Sequence, residues 1–440
     1  MNFSRSDLLR RITAGCARLG IRYPALLAIL SARGARQVLA LTAATLDEPC
    51  EENRPYQLLI DVSEIVRNDA KTGIQRVVRN ILLQLLRKPP FGYVIRPVYA
   101  SRHEGYRNAE RYRAALLGQD CGENADLPVR TRPGDIFLGL DLAAHLLPYH
   151  HRTLGEWKAG GVKLLFLMYD LFPVRHPEWF TPKRPKTFRR WLRTLAIYSD
   201  CVLCISKATA DDLEKWFREQ YGISGQTLPV RSFHLGTDFP TTGHLPQQAE
   251  AVSELMLRFR GHPSIMMVGT IEPRKGYAQA LSAFELLWRQ GSQVNLIISG
   301  KAGWRVDGVV SRLRLHPEAG VRLHWFEDAD DELLLQFYGL ADGFLMTSEG
   351  EGYGLPVIEA ARFNKPLLLR DIPIFREIAG MEAQYFTGLE PSALAEALHN
   401  WLSLISAGTA PVPQAIKCQN WAESTEQLVL AMDLVTCRSR

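Results

Sequence analysis

The chain of 440 residues lacks an uninterrupted apolar run of the about 18 to 20 residues that a membrane-spanning helix needs. Its most apolar stretch near the N-terminus, from Tyr23 to Leu46, is interrupted by Arg33 and Arg36. The apolar residues before this stretch are themselves separated by arginines, which argues against a cleavable signal peptide. The sequence therefore predicts a globular protein without a membrane span.

A strong excess of charge of one sign is also missing. The 52 Lys and Arg residues against 47 Asp and Glu residues give a net charge of +5, and the pI is near 8.8. This balance is too weak for the dense basic surface that nucleic-acid-binding proteins usually carry. We therefore expect no nucleic acid among the partners.

The basic excess lies at the start of the chain, where seven arginines and one aspartate occur between Met1 and Thr45. The apolar residues of this segment have the spacing of amphipathic helices. Two interpretations stay open: the helices lie on an anionic membrane surface, or they form an extension that packs on the main body.

Cysteine is too sparse and scattered for a zinc site, since the seven residues are odd in number and show no repeated pair spacing. Cys201 and Cys204 form a C-x-x-C pattern, but the apolar run DCVLCIS around them predicts a buried strand. We expect reduced thiols and a cytoplasmic location, with no redox role for this pair.

What the sequence does contain is the composition of a globular chain, with 46% hydrophobic and 22% charged residues. From Gln57 onward, short β-rich runs alternate with longer helical patterns, which is typical of parallel α/β units. We predict a basic helical extension over residues 1–52, a Rossmann-like domain over 53–242, a second over 243–404 and a C-terminal helix crossing back over 405–440. The predicted fold class is α/β, with two doubly wound domains facing a cleft at the carboxyl ends of their strands.

The predicted strands form two series, separated by a linker rich in Thr, Gly, Pro and Gln over Thr237–Glu250. The first series is QLLIDV, YVIRPV, DIFLGL, VKLLFLM, CVLCIS and PVRSFHL, and the second is SIMMVG, VNLIIS, VRLHWF, GFLMTS and PLLLR. Helical periodicity predicts helices over Gly73–Leu86, Pro185–Tyr198, Lys207–Phe217, Lys275–Gln290, Asp330–Leu340 and Leu355–Phe363. Because no G-x-G-x-x-G follows the first strand of either series, a nicotinamide-dependent dehydrogenase is disfavoured.

The most informative segment is SEGEGYGLPVIEA, Ser348–Ala360, which follows a predicted strand and opens a predicted helix. Its three glycines allow a ligand to approach the backbone closely: Gly350, Gly352 and Gly354. The helix that begins near Leu355 presents N–H groups and a positive dipole end, which favour a phosphate. The segment therefore predicts a site for a diphosphate.

Two glutamates of this segment, Glu351 in the loop and Glu359 in the second helical turn, can contact two parts of one ligand. With seven residues between them, they resemble the glutamate pair of the retaining GT-B glycosyltransferases of family four. The resemblance implies that Glu351 contacts the transferred sugar and that Glu359 binds the ribose hydroxyls of a nucleotide. It also implies that sugar and diphosphate meet the loop of Gly352, Tyr353, Gly354 and Leu355.

The segment VGTIEPRKG, Val268–Gly276, is a second match, and it ends in the adjacent cations Arg274 and Lys275. A guanidinium supplies paired donors and an ammonium a point charge, so both suit a diphosphate leaving group. A basic residue often stands in the family where this chain has Thr270. We therefore expect the phosphate contacts to depend on Arg274 and Lys275.

The first domain contributes weaker candidates. In KTGIQRV, Gly73 stands at a strand-to-helix turn, where the family's Gly-Ile loop borders phosphates and acceptor. In YDLFPVRHPEWF, many relatives carry His-Asp where this chain has Tyr169 and Asp170, and we take Asp170 as the acceptor-side candidate. The resemblance extends over roughly residues 58–432.

The acidic run EDADDE, Glu327–Glu332, precedes a helical pattern. Spaced aspartates hold a metal in the other main glycosyltransferase fold, but here they are expected to cap the helix and face solvent. We predict no metal site.

The resemblance implies transfer of a hexosyl group from a nucleoside diphosphate sugar to a hydroxyl, with retention of anomeric configuration and no further cofactor. GDP-mannose is favoured as donor, because YDLFP, HLGTDF and GTIEPRK are similar to mannosyltransferases of bacterial surface polysaccharide synthesis; a UDP-hexose is the alternative. The expected acceptor is a glycan or lipid-linked oligosaccharide, with peripheral contact to the anionic inner face of the inner membrane.

Two other function classes stay open. A nucleotide-sugar epimerase uses the same double α/β architecture and releases a free sugar product without an acceptor. A noncatalytic sugar-nucleotide-binding protein is suggested by the departures at Thr270 and Tyr169, and it would bind donor without turnover.

Overall fold

The computed structural model describes residues 30–43, 55–121, 126–237, 250–259 and 261–434. Within them the chain divides into two compact units. The first unit holds the described residues up to Leu235 and those from Trp421 onward, and the second holds the described residues from Gly236 to Asn420. Most of the predicted basic extension and of the predicted linker lies outside the described residues.

The first unit contains a seven-stranded sheet. Its strands are β1 (Tyr56–Asp61), β2 (Tyr93–Tyr99), β3 (Arg107–Asn108), β4 (Ile136–Gly139), β5 (Lys163–Met168), β6 (Cys201–Cys204) and β7 (Val230–Ser232). Its helices up to β7 are α1 (Ala32–Ala43), α2 (Ser63–Arg67), α3 (Gly73–Arg87), α4 (Glu110–Leu117), α5 (His151–Ala159), α6 (Phe172–Arg175), α7 (Lys183–Tyr198) and α8 (Lys207–Tyr221). The strand order is β3-β2-β1-β4-β5-β6-β7, and only β3 is antiparallel to its neighbour.

The second unit contains a six-stranded parallel sheet in the order β10-β9-β8-β11-β12-β13. Its strands are β8 (Ser264–Val268), β9 (Asn295–Ser299), β10 (Leu323–Phe326), β11 (Gly343–Met346), β12 (Leu367–Arg370) and β13 (Gln384–Phe386). Its helices are α9 (Glu250–Phe259), α10 (Tyr277–Arg289), α11 (Asp307–Arg314), α12 (Asp331–Leu340), α13 (Leu355–Arg362), α14 (Pro373–Ala379) and α15 (Pro391–Ser406). A last helix, α16 (Trp421–Ala431), returns to the first unit.

The central strands are buried on both faces, because helices connect parallel strands and cover the sheet on either side. This explains why β1, β5, β8 and β11 appear in the sequence as continuous apolar runs rather than as alternating patterns. The fold class, two Rossmann-like α/β units, is as predicted, and every strand of the two predicted series is present. The sequence does not predict β3 and β13, because strands of two and three residues are too short to show a period.

Local sequence sets the ends of the site-bearing helices. Thr72 caps α3, since its side chain accepts from the Gln75 N–H while the Gln75 side chain accepts from the Thr72 N–H. Helix α10 begins at Tyr277 rather than at the predicted Lys275, because Pro273–Lys275 forms a 3-10 turn and Gly276 adopts φ 70°. A Cβ on Gly276 would lie 2.5 Å from the carbonyl oxygen of Thr347, so this position requires glycine.

The division between units falls at Leu235 and Asn420, whereas the sequence places the boundaries after residues 242 and 404. Helix α15 runs through residue 404 and packs on α10, so residues 405–420 still belong to the second unit. Only α16 crosses back, and it packs on α3. The crossing segment is therefore shorter than the predicted 405–440.

Helix α1 is the described part of the predicted basic extension, and it packs on α7 and α5. Ala32, Ala35 and Leu39 are buried in the core of the first unit. The Arg36 guanidinium donates to the carbonyl oxygens of Ser199 and Thr227, and burial lowers its pKa. Residues 30–43 thus pack on the main body, the second of the two interpretations, while residues 1–29 lie outside the described residues. None of the described helices is long and apolar enough to span a membrane.

Candidate functional site

The candidate site of the second unit is formed where two adjacent strands end. Strands β8 and β11 are paired and parallel, so the loops that follow them, residues 269–276 and 347–354, leave the same edge of the sheet. The Glu349 N–H donates to the Arg274 carbonyl at 2.7 Å, and the Thr347 hydroxyl donates to the Lys275 carbonyl at 2.7 Å. These bonds hold the two predicted motifs against each other.

Both predicted cations of the first loop contact the predicted glutamate of the second. The Lys275 ammonium donates to Glu351 Oε1, and Arg274 Nη1 lies 3.1 Å from Glu351 Oε2. Arg274 also donates to the Gly350 carbonyl at 2.7 Å, and its Nε lies 3.0 Å from Glu272 Oε2. The Ser348 hydroxyl donates to Glu351 Oε1 at 2.9 Å. Two cations and two carboxylates thus form one compact cluster.

This cluster is largely removed from solvent, since the side chain of Glu351 is only 8% exposed and that of Lys275 only 10%. Burial alone would raise the pKa of Glu351, but the Arg274 and Lys275 charges outweigh it and hold the pKa at about 2. Burial and the nearby Arg274 lower the pKa of Lys275, against the Glu351 charge. One carboxylate is shared by two cations, so the contacts favour the charged form of Glu351 more than they favour the charged form of Lys275.

The predicted second glutamate, Glu359, lies on the second turn of α13 and is 1% exposed. Its Oε2 accepts a hydrogen bond from the Tyr338 hydroxyl at 2.8 Å, and the Tyr338 ring stacks on Phe363. Tyr338 therefore fixes one oxygen of this carboxylate. The sequence does not single it out, because a tyrosine on the apolar face of α12 has the pattern of a core residue.

Of the three glycines in the loop before α13, Gly354 has the positive φ that favours glycine. Gly354 caps the helix with φ 90°, and a Cβ there would lie 3.1 Å from the ring of Phe375. Tyr353 is buried, Gly352 is half-buried, and Leu355 starts a helix of eight residues. The start of α13 therefore follows the loop that carries Glu351, and Glu351 contacts the two cations of the loop after β8.

Arg370, at the end of β12, is a site residue that sequence reasoning missed. Its Nε donates to the Thr347 carbonyl at 3.0 Å, its Nη1 donates to the Gly388 carbonyl at 2.7 Å, and its Nη2 contacts Gln279. Burial lowers its pKa. Arg370 thereby holds the start of the loop that carries Glu351, and the available signal was a cation at the end of a predicted buried strand.

Thr270, the position where the family often has a basic residue, is exposed in the loop after β8. In the part of the chain that the structure describes, it makes no hydrogen bond or ion pair. Its methyl group instead lies beside Gly303, where an added Cβ would approach it to 3.0 Å. The charges of this loop are thus those of Glu272, Arg274 and Lys275.

The first-unit candidates lie at strand ends of the other sheet. Gly73 is the first residue of α3 and is exposed, and a Cβ added there would meet no described heavy atom within 4 Å. Asp170 is half-buried after β5 and accepts from the Phe172 N–H at 3.1 Å. Tyr169, which replaces the family's histidine, is buried and donates to the Leu140 carbonyl at 2.8 Å, and burial raises its pKa. The hydroxyl of Tyr169 is therefore engaged in a hydrogen bond within the first unit.

Two buried carboxylates lie where β1 and β4 end: Asp61 is the last residue of β1, and Asp141 follows the end of β4 by two residues. The sequence does not single them out either. Asp61 accepts hydrogen bonds from Ser63 and, at 3.3 Å, from Tyr106, while Asp141 accepts from the Ile65 N–H at 2.8 Å. Burial, with the Asp141 charge, raises the pKa of Asp61 to about 7, and burial raises that of Asp141 to about 6. A carboxylate that ends an apolar run was the signal that could have found them.

The acidic run EDADDE has the capping role predicted for it. Asp330 caps α12, since its Oδ1 accepts from the Leu333 N–H at 2.8 Å, and Asp331 and Glu332 occupy the first turn. Glu327 pairs with Arg314 at 2.7 Å. Asp328 lies 3.4 Å from the Lys301 ammonium. The run thus takes part in the helix end and in two ion pairs.

Comparison with known proteins agrees with this geometry. Residues 257–415 match the family model described as glycosyl transferases group 1. Over 385 residues the chain is 39% identical to the serotype-specific mannosyltransferase WbdA of Escherichia coli, an alignment that covers 86% of this chain and 46% of that protein. A stretch of 119 residues is 34% identical to the O-antigen chain mannosyltransferase B of Escherichia coli, covering 26% of this chain and 30% of that protein. The chain thus spans about half the length of the WbdA proteins it matches.

Solved structures share the fold. Anabaena HepE in complex with UDP and glucose superposes with a TM-score of 0.58 at 15% identity, covering 86% of this chain and 99% of that one. Sucrose-phosphate synthase from Thermosynechococcus elongatus gives a TM-score of 0.58 at 16% identity, with 87% and 100% covered. These neighbours confirm the GT-B assignment as a fold of two Rossmann-like units. The chain therefore carries a glycosyl transferases group 1 domain over residues 257–415, and along most of its length it resembles bacterial mannosyltransferases.

Proposed function

We propose that this chain is a retaining glycosyltransferase that moves a hexosyl group, mannose, from GDP-mannose to a hydroxyl of a glycan or lipid-linked glycan in bacterial surface polysaccharide synthesis. The relatives named as mannosyltransferases support the sugar, and the name of the O-antigen relative supports the pathway class.

The observation that carries the proposal is the cluster of Arg274, Lys275 and Glu351 at the carboxyl ends of β8 and β11. Transfer leaves a nucleoside diphosphate, whose negative charge increases as the bond to the sugar breaks. Cations held in place by the fold stabilise such charge without reorganising, and they do so best where water is excluded. The loop after β11, which is hydrogen-bonded to the loop of the two cations, carries the glutamate that would meet the sugar next to that diphosphate.

The diphosphate and the ribose of the donor are proposed to bind along α13. The N-terminal turn at Leu355 would receive a phosphate oxygen through its N–H groups and dipole. Glu359, one turn further on and held by Tyr338 at 2.8 Å, would accept hydrogen bonds from the ribose hydroxyls. The order of sugar, diphosphate and ribose thus follows Glu351, Leu355 and Glu359 along one segment.

No enzymic nucleophile is assigned. In the proposed reaction the acceptor hydroxyl attacks from the side of the leaving group, and a donor phosphate oxygen takes its proton. Asp170 is the proposed acceptor-side residue, and Gly73 is proposed to border the phosphates and the acceptor. The surroundings of Gly73 support its role. A Cβ at this position would meet no described heavy atom within 4 Å, so packing within the described chain does not require a glycine there and space is left beside it.

The first test is thermal stabilisation of the full chain by GDP-mannose, UDP-glucose, UDP-galactose, UDP-N-acetylglucosamine and nicotinamide dinucleotides. A ligand that binds only the native state raises apparent stability by mass action. We expect a shift with GDP-mannose that is lost in Lys275→Ala and kept in Lys417→Ala. Lys417 is an exposed lysine of the same unit, so this control removes an equal charge away from the cluster.

The outcomes separate the candidate functions. A shift with a UDP-hexose alone replaces the donor, and a shift with no nucleotide sugar contradicts the proposal. With the donor fixed, conversion of the sugar without an acceptor indicates an epimerase, and binding without any turnover indicates a noncatalytic protein. Transfer to an acceptor glycan with the product anomer matching the donor, read by NMR, supports retention.

A further inference from the structure

A groove of about 830 Å³ lies at the amino-terminal edge of the second sheet. It is bounded by the residues that precede β8 and β9 and by the last turns of α10 and α15. Because β8 and β9 are parallel, their amino ends lie at one edge of the sheet and their carboxyl ends at the other. The cluster of Arg274, Lys275 and Glu351 follows carboxyl ends of strands in the same sheet. The groove is therefore separate from that cluster.

The lining of the groove does not suit a phosphorylated ligand. None of the 13 described residues that line it is Lys, Arg, Asp or Glu, although 22% of the residues of the chain are charged. Proteins bind phosphate with cations or with the N-terminus of a helix. Helices α10 and α15 both reach the groove with their C-terminal turns, which carry the negative end of the helix dipole. A nucleotide sugar is therefore not the ligand of this groove.

The rim of the groove offers polar side chains that the fold does not use. Gln290, His399 and Ser406 are exposed. In the part of the chain that the structure describes, their side chains make no hydrogen bond and no ion pair. An amide, an imidazole and a hydroxyl each provide a donor and an acceptor. A sugar hydroxyl is also both donor and acceptor, so the rim can pair with hydroxyl groups in either direction.

The more deeply buried part of the lining is apolar. Leu287 and Val294 are buried, and Leu402 is half-buried. A pyranose ring has C–H groups on its faces and hydroxyls around its edge. Its face can therefore cover these apolar side chains, which removes them from water, while its edge meets the polar rim.

Two other kinds of occupant fit the lining less well. The residues that dominate protein interfaces are Trp, Tyr and Arg, and none of the described lining residues is of these three types. Pockets for apolar small molecules are lined mostly by hydrophobic and aromatic side chains. Here seven of the 13 described lining residues are Gln, His or Ser. The lining thus matches an uncharged ligand with many hydroxyls.

We propose that this groove binds a neutral oligosaccharide and is a glycan site distinct from the donor site of the same unit. The assignment rests on the proposed function, because the acceptor and the product of that reaction are glycans that contain neutral hexoses. A glycan at the amino-terminal edge of the sheet leaves the cluster at the carboxyl edge accessible. Glycan and donor are therefore expected to bind independently of each other.

The test measures binding of two pentasaccharides to the full chain by saturation-transfer NMR. One is an α-linked mannopentaose, which is neutral, and the other is pentagalacturonate, which has the same length and a carboxylate on each ring. The groove variant is Gln290→Ala with His399→Ala. The matched control, Gln384→Ala with Gln414→Ala, removes two exposed polar side chains of the second unit outside the groove.

One hydrogen bond between neutral groups contributes about a fivefold factor in binding, so the groove variant is expected to bind mannopentaose about 25-fold more weakly. The control variant is expected to bind it as the unmodified chain does, and pentagalacturonate is expected to bind to none of the three proteins. Equal binding of mannopentaose by the groove variant and the unmodified chain overturns the proposal. Equal binding of the two pentasaccharides by the unmodified chain also overturns it.

Thermal shifts with GDP-mannose, measured on the same proteins, separate this proposal from the proposed function. The groove variant is expected to keep the shift, and Lys275→Ala is expected to lose it while still binding mannopentaose. Loss of mannopentaose binding in Lys275→Ala would assign the glycan to the cluster and overturn the groove site. Mannopentaose binding that depends on the groove, without a shift from any nucleotide sugar, would support the groove site and contradict the proposed function.

Discussion

Replacing Glu351 with glutamine keeps the size of the side chain but removes the negative charge that Lys275 and Arg274 share. The carboxylate is 8% exposed, so the fold holds it there at the cost of its hydration. The shift of its pKa from 4.5 to about 2 corresponds to about 3 kcal/mol of stabilisation at neutral pH. Removing one partner of a buried ion pair typically costs about 3 to 5 kcal/mol, which agrees.

The pH dependence follows from the direction of this shift. Because the folded pKa lies below the unfolded one, the stabilisation is present above about pH 4.5 and is lost as the pH falls towards about 2. In the unmodified chain the second unit should therefore lose about 3 kcal/mol across this window from Glu351 alone. The Glu351→Gln variant should start lower and lack this part of the acid sensitivity.

The readout must be local, because a chain of two units need not unfold in one step. Hydrogen exchange followed by mass spectrometry, in peptides from β11 to α13, gives the free energy of opening there. The control is Glu254→Gln, which removes an exposed i,i+4 partner of Arg258 and should change stability by about 0.5 kcal/mol or less. Equal effects of the two substitutions near neutral pH would show that Glu351 is not charged and paired in the buried cluster.

The same substitution has a second, opposite effect on ligands. Without Glu351 the cluster holds two cations and only Glu272, so a free nucleoside diphosphate should bind more tightly than to the unmodified chain. Sugar transfer should be lost, because Glu351 is the proposed contact of the sugar. Isothermal titration with GDP measures the first effect, and unchanged or weaker GDP affinity would contradict the view that the glutamate competes with phosphate.

Three further predictions concern the residues that support the site and helix α1. Tyr338→Phe removes the 2.8 Å bond to Glu359 and should cost about 1 to 2 kcal/mol in urea unfolding while raising the KM for the donor more than it lowers kcat. Gly276→Ala places a Cβ at φ 70° and 2.5 Å from the Thr347 carbonyl oxygen, so it should abolish donor-induced thermal shifts. The control Gly408→Ala has φ 68° but no heavy atom within 4 Å of the added Cβ, so it should lower the free energy of unfolding by about 1 kcal/mol and keep the thermal shifts. Leu39→Ala, at a position 1% exposed, should cost about 2 to 4 kcal/mol and make α1 the first site of limited proteolysis.

The sequence predicts the fold well where its elements are long and buried. The strands β1, β5, β8 and β11 appear as apolar runs because helices cover both faces of each sheet. It predicts less well where tertiary contacts decide. The predicted boundary after residue 404 differs from the division at Asn420, because residue 404 lies inside α15, a helix that packs on α10 within the second unit.

The site shows the same limit at the level of single residues. Arg274, Lys275 and Glu351 are predictable because glycines and charges follow predicted strands, and the structure brings all three into contact. Arg370 and Tyr338 are not, because their roles depend on which backbone carbonyl or carboxylate lies opposite them in space. A pattern along the chain records which residue is charged, but it does not record its partner.

The contacts within the cluster also explain how the proposed diphosphate site can stay folded without a ligand. Two buried cations side by side would repel each other and would each carry an uncompensated cost of lost hydration. In this chain Glu351 bonds to both of them, and Glu272 bonds to Arg274, so the cluster is neutral as it stands. A diphosphate entering there must take the place of carboxylate oxygens rather than fill an empty positive pocket. Glu351 would then be released from the cations in the same step that brings the sugar to it, which would link donor binding to the placing of the residue proposed to contact the sugar.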